Sequence, residues 1–168
     1  MKLAPQEDIG IEFLALAAGE PLSVDTETNG KDIRSGEGFA QGVSVAFRKT
    51  VGGKDKYYRH YFPFNHKDTE NNYGVESLNL LRGVIEAAPV IVFHNAKFDL
   101  ESLHTLGIDY DSGNWYCTMV IASLINENWP KSKSLDSCAK FYLGEGWGKD
   151  KGPEFQAALA LVGWEGMP

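Results

Sequence analysis

The sequence has 168 residues, enough for one compact domain with a sizeable core, and with 43% hydrophobic and 23% charged residues it is neither disordered nor fibrous. Its net charge is −7, from 16 basic and 23 acidic side chains. That is the wrong sign for gripping phosphates unaided, which argues against a stand-alone nucleic-acid-binding module and favours an enzyme that gathers carboxylates around cations.

Pro5 to Ala18 carries Ile9, Phe13 and Leu16 at helical spacing, with Gly19 suited to the stop. Pro21 to Val24 reads as a strand ending on the polar run Asp25-Thr26-Glu27-Thr28-Asn29-Gly30. Alternation predicts further strands over Gly42 to Phe47 and Tyr57 to Phe64, joined by hairpin turn chemistry at Gly52-Gly53-Lys54-Asp55. Leu78, Leu81, Ile85 and Ala88 define a helix face, and Val90 to Phe93 a strand buried on both faces. Asn95 is placed to cap the next helix, with Leu100, Leu103 and Leu106 inward and Gly107 at its end. Met119 to Ile125 and Leu135 to Leu143 read as two further helices, the second between Ser134 as cap and Gly144 as stop. A last helix is expected over Pro153 to Val162, after a flexible loop from Leu143 to Pro153. Strands followed by interleaved strands and helices predict an α/β sheet covered by helices, with the site at the strand ends and no internal domain boundary.

Cys117 and Cys138 lie 21 residues apart in helical patterns, which excludes a C-x-x-C pair or zinc ribbon and suggests buried free thiols. The longest apolar region, Val84 to Phe93, is broken by Glu86 and Pro89, and the N-terminus has no leader pattern, so a soluble, cytoplasmic chain without membrane contact is expected.

Two clusters carry chemistry. In Val24-Asp25-Thr26-Glu27 the carboxylates stand at i and i+2, on one side of a strand, where they repel unless a cation joins them. In His94-Asn95-Ala96-Lys97-Phe98-Asp99 a strand end runs into a helix, and Asp99 falls in the first turn, where backbone N–H groups are expected to keep it ionised. Alone, the first is more often an exposed strand end beginning a turn and the second merely a favourable first-turn helix charge. If the strands are neighbours, Asp25, Glu27 and Asp99 converge as three hard oxygen donors suited to Mg²⁺ or Mn²⁺.

In this order the clusters resemble motifs I and II of the DEDD superfamily of 3′→5′ exonucleases, as found in the proofreading domain of family A DNA polymerases. Tyr116-Cys117-Thr118-Met119 and Lys133 to Gly144 are similar to that family's helical segment after motif II, so the likeness runs from about Leu14 to Gly144. With no 5′-nuclease region ahead of it, the sequence looks most like bacteriophage versions. The resemblance implies a ribonuclease H-like fold, a mixed sheet flanked by helices, and two-metal hydrolysis at the 3′ end of single-stranded DNA, with the ions about 3.5–4 Å apart. It implies that Asp25 bridges both metals, that Glu27 binds the one on the nucleophile side and that Asp99 binds the one on the leaving-group side. Asn95 would contact the terminal nucleotides, and Thr28 and Asn29 would line the pocket for the last sugar and base.

The family's third motif, a fourth aspartate preceded by Tyr (Y-x₃-D) or His (H-x₄-D), has no match: past Tyr142 there is neither Tyr nor His, and the one aspartate is Asp150. His104 and Asp109 have the H-x₄-D spacing but sit on the wrong element. The expectation is therefore one exonuclease domain over 1–168, C-terminally incomplete and weakly active or inactive as it stands, completed by a polymerase module or following polypeptide. An RNA 3′ exonuclease of the same superfamily and a non-catalytic, end-binding scaffold remain alternatives. His60 and His66 read as ordinary strand and loop histidines, and the four tryptophans as packing residues.

Overall fold

In the computed structural model of the chain, residues 6–30, 32–67, 69–110, 114–128 and 133–144 are described. The helix expected over Pro153 to Val162, the loop before it, Asp150 and three of the tryptophans lie outside them. The chain divides into two compact units, Met1–Tyr116 and Cys117–Pro168.

The first unit opens with α1 (Gln6–Ala17), which stops at Gly19 with a positive φ of 80°. Its buried stripe is Gly10, Phe13, Leu14 and Ala17, whereas Ile9 and Leu16, assigned to the apolar spacing, are 49% and 44% exposed. Both stripes have helical period; Gly10 decides between them. A Cβ there would meet the Tyr73 ring at 2.7 Å and His60 Nε2 at 3.1 Å, so the helix can approach this closely only on its glycine side.

Three strands follow, β1 (Leu22–Thr28), β2 (Ala40–Val51) and β3 (Lys54–Pro63). The β2–β3 hairpin turns on Gly52 and Gly53, whose φ values of 61° and 75° are both left-handed, as a two-residue hairpin turn that matches strand twist requires. Pairing is antiparallel from Val51↔Lys54 back to Gly42↔Pro63. Next come α2 (Val75–Glu86), β4 (Ile91–Phe93), α3 (Ala96–Thr105) and β5 (Trp115–Cys117). The sheet order is β3-β2-β1-β4-β5, with β4 parallel to β1 and β2 antiparallel to it.

One face of the sheet carries the core. Leu22, Val24, Val43, Val45, Phe47 and Phe62 alternate inward and are buried; Phe13 of α1 packs on Phe47 and Phe62, and α2, with Leu81 and Ile85 buried, packs on α1. Each such residue contributes about 1.5–3 kcal/mol by leaving water. The opposite residues, among them Ser23, Asp25, Ser44, Ala46 and Arg59, line open recesses. β4 shares that alternation: Ile91 and Phe93 are buried and Val92 only half-buried, so it is not enclosed on both faces as its apolar run predicted.

The second unit contains α4 (Thr118–Ile125) and α5 (Leu135–Leu143), which pack on each other. The Ser134 hydroxyl accepts the Ser137 N–H at 3.2 Å and Gly144 ends the helix at φ 101°, as the cap and stop residues predict. Cys117 and Cys138 are buried thiols outside any disulfide. Among the described residues no helix is long and apolar enough to cross a membrane.

Candidate active site

β1 does not end before its acidic run; it continues through Asp25 and Glu27 to Thr28, paired Asp25↔Ser44, Thr26↔Val43 and Glu27↔Gly42, with a register shift after Glu27. Side chains alternate, so Thr26 points into the core, half-buried Asp25 and exposed Glu27 to the other face. The parallel pairing Leu22↔Ile91 and Ser23↔Val92 makes β1 and β4 run in the same direction. The chain leaving β4 passes His94 and Asn95 and enters α3 beside the acidic end of β1.

Asn95 is the position from which α3 starts, but it caps with its backbone. Its φ of 86° and ψ of 49° are left-handed, the only positive φ at a non-glycine among the described residues, and its side chain makes no capping bond. Its carbonyl accepts the Phe98 N–H at 2.8 Å. Asparagine tolerates this conformation better than most residues. The tight entry sets the first turn of α3 against β1.

Asp99, in that first turn, is only 2% exposed. Its Oδ1 accepts two bonds from one residue, the Thr26 N–H at 3.1 Å and the Thr26 hydroxyl at 2.9 Å. This clasp joins the two predicted motifs. Burial pushes the Asp99 carboxyl up to about 6, the Thr26 hydroxyl bond opposes the rise, and the negative charges of Asp25 and Glu27 add to it. The direction is opposite to that expected from the helix terminus: the carboxyl is bonded to Thr26 on the strand, and desolvation outweighs the dipole. At neutral pH the group is still mostly ionised.

Asp25, Glu27 and Asp99 thus lie close enough to feel one another's charge. They are hard oxygen donors under mutual repulsion, and that chemistry fits a divalent cation. They are not, however, gathered as a ready-made cluster: among the described residues no group of three or more His, Cys, Asp or Glu is arranged to hold a metal. Both Thr26 bonds land on Oδ1, which leaves Oδ2 of Asp99 as the atom to offer an ion.

Thr28 and Asn29 sit half-buried at the end of β1. The Thr28 hydroxyl donates to the Gly30 carbonyl at 2.6 Å, and Asn29 Oδ1 accepts the Phe39 N–H at 2.7 Å, so as they stand both organise the loop leaving the strand. His104 Nδ1 and Asp109 Oδ1 are 2.6 Å apart in an exposed pair that raises the histidine through its hydrogen bond and charge, away from the acids.

Two contributors escaped the sequence reading. Thr26 is legible in retrospect, because a polar side chain on the core-facing side of a strand needs a buried partner. The other is Tyr61, whose ring lies over Gly42, the residue paired with Glu27. A Cβ at Gly42 would run into the Tyr61 hydroxyl and, at 2.8 Å, the backbone oxygen of Phe62. The Tyr61 hydroxyl is 2.5 Å from His66 Nε2, and burial together with Glu27 pushes the phenol up to about 12. No linear pattern signals this arrangement, which arises from pairing across strands.

Residues 6–155 match the 3′-5′ exonuclease family. The chain belongs to that family. Among relatives of this chain is the DNA polymerase DpoZ of Salmonella phage PMBT28, 32% identical over 123 residues, which cover 73% of this chain and 17% of the relative. The DNA polymerase DpoZ of Acinetobacter phage SH-Ab 15497 is 46% identical over 56 residues, 33% of this chain and 9% of that one. The match therefore spans less than a fifth of the length of these polymerases. The RNase domain of the yeast Pop2 protein superposes with a TM-score of 0.52 at 15% identity, covering 83% of this chain and 73% of that domain. That likeness is one of fold: the mixed sheet with its flanking helices is ribonuclease H-like.

Proposed function

We propose that the chain is the proofreading-type exonuclease domain of a bacteriophage DNA polymerase, removing nucleotides from single-stranded DNA 3′ ends with two Mg²⁺ or Mn²⁺ ions held by Asp25, Glu27 and Asp99. The observation that carries it is the Thr26–Asp99 clasp, which brings a buried carboxylate from one motif against the acidic strand of the other. Bound ions would supply a water of lowered pKa and offset charge on the phosphate. The protein's own part is to hold the carboxylates. Thr26 fixes Asp99, β1 pairing fixes Asp25, and Glu27, nearer solvent, meets the incoming ion. Thr28, Asn29 and Asn95 would receive the terminal nucleotides. The phage polymerase relatives support DNA over RNA as substrate and the host cytoplasm as the place of action.

A fourth carboxylate is absent from the described site, and we propose that it comes with a polymerase module or another stretch of polypeptide carrying a Y-x₃-D. Until then the domain would bind ends better than it cuts them. That end-binding, weakly catalytic state is the second reading, favoured by the lack of a three-ligand cluster among the described residues.

Metal binding can be tested apart from activity. At Mn²⁺ one hundred times its dissociation constant, mass action stabilises the fold by about 2.7 kcal/mol. For a domain of this size that is roughly a 5–10 °C rise in Tm. Asp25→Ala is expected to keep less than about a third of the shift. Equal shifts in both proteins would remove Asp25 from the metal site.

A further inference from the structure

Asp25 and Glu27 occupy one end of the sheet's open face, and the other acid that the register puts there along β2 and β3, Asp55 at the far end, is paired with Arg48. Cross-strand register puts Asp25, Ser44 and Tyr61 in one row over β1, β2 and β3, and Ser23, Ala46 and Arg59 in the next. One row further along are Arg48 and Tyr57. Two adjoining recesses follow these rows. The first, about 490 Å³, takes in Asp25, Ser44, Arg59 and Tyr61; the second, about 580 Å³, shares Arg59 with it and reaches Arg48 and Tyr57.

Arg59 stands apart from the other three arginines. Arg34 pairs with Glu101, Arg48 with Asp55, and Arg82 bonds Asn79 and the Leu106 carbonyl. The Arg59 side chain makes no ion pair or hydrogen bond among the described residues. In a chain with 23 acidic against 16 basic side chains, a guanidinium that no carboxylate claims, one row from Asp25, is an anion site by charge. Tyr57, two residues before it on the same face, is 78% exposed, although so large a ring gains most by being covered. From Tyr61 to Tyr57 the strip measures about 14 Å, at about 3.4 Å per residue.

We propose that this strip carries single-stranded nucleic acid away from the acid cluster, with Arg59 on a backbone phosphate and Tyr57 stacked under a base. The inference rests on the nuclease reading of the acids and extends it to the path of the strand. A cation that tracks the backbone beside an aromatic platform is the combination by which proteins hold single strands without reading their sequence. It also answers the sign of the net charge: the strand is held by local cations, while the acids act on its end.

Fluorescence anisotropy of a labelled oligothymidylate over a salt series, in EDTA so that cleavage does not compete, tests it. Arg59→Ala is expected to bind about tenfold more weakly and to flatten the slope of log K against log salt by about 0.7, the share of one single-strand phosphate. Tyr57→Ala should lose about fivefold or more with the slope unchanged. Arg34→Ala, whose charge is matched by Glu101, should change neither. If the wild type binds and Arg59→Ala equals it in affinity and slope, the strip is covered by something other than nucleic acid and this inference alone is overturned. Should the wild type bind no single strand in EDTA or in Mn²⁺, the nuclease reading fails as well.

Discussion

Asp99→Asn is expected to make the metal-free protein more stable while abolishing its nuclease activity. The carboxyl has an ordinary value of 3.8 and is raised to about 6 in the fold, chiefly by burial. The native state therefore holds the proton more tightly than the unfolded chain. The stability linked to that proton is fully present below about pH 3.8 and is lost as pH rises through about 6. Above that, the buried charge costs on the order of 2–3 kcal/mol. Asparagine keeps an oxygen for the two Thr26 bonds and carries no charge, so at pH 7.5 in EDTA its Tm should lie roughly 5–10 °C above wild type. Below pH 4 the two proteins should converge. Turnover should fall on the order of 10³-fold, because the carboxylate that stabilises the fold least is the one a cation needs most. Calorimetry of both proteins across pH 4–8 decides it, and an Asp99→Asn variant that melts no higher than wild type at pH 7.5 contradicts a destabilising buried charge.

Adding a polypeptide that supplies a Y-x₃-D is expected to raise kcat by at least about 10²-fold with little change in DNA affinity. In the proposed site Asp25 and Glu27 alone would give a nucleophile-side ion few fixed ligands, and one of the two is solvent-exposed. Orientation of reacting groups can contribute about 7–11 kcal/mol, and a loosely held ion realises only part of it. Contacts with the strand do not depend on the added carboxylate, so the gain belongs to the chemical step. Single-turnover release of the 3′ nucleotide at saturating Mg²⁺, measured for the 168-residue chain and for the longer polypeptide, separates the two terms. A gain that survives Asp25→Ala, or no gain at all, would turn the reading toward the end-binding scaffold.

Local chemistry explains what was legible beforehand. Gly52-Gly53 announces its hairpin because few other dipeptides accept two left-handed residues, and Ser134 and Gly144 mark both ends of α5 because cap and stop are short-range interactions. The motifs mark Asp25, Glu27 and Asp99 as candidates, and the approach of their segments follows from the parallel pairing of β1 and β4. What failed was decided by distant parts of the chain. β1 reads as ending at Val24 because Asp25 looks like turn chemistry, yet its alternation continues once β2 supplies a partner for every residue up to Thr28. The protonation tendency of Asp99 was read with the wrong sign because burial by a strand 73 residues away is invisible in a helix's own sequence. The inward face of α1 was misread because its selection rests on the fit of Gly10 to the Tyr73 ring.

The clasp between Thr26 and Asp99 also bears on the order in which the molecule is made. The β2–β3 hairpin closes through two glycines and can form within microseconds of the chain collapsing. The clasp and the parallel β1–β4 pairing must instead wait for a loop of some seventy residues to close, which costs entropy before any contact offsets it. The acids are therefore expected to meet after the hairpin has formed, an order that pulse-labelled exchange during refolding would test. During synthesis no carboxylate pair spanning both segments can assemble until α3 has left the ribosome. The chemistry is thereby withheld from every shorter intermediate.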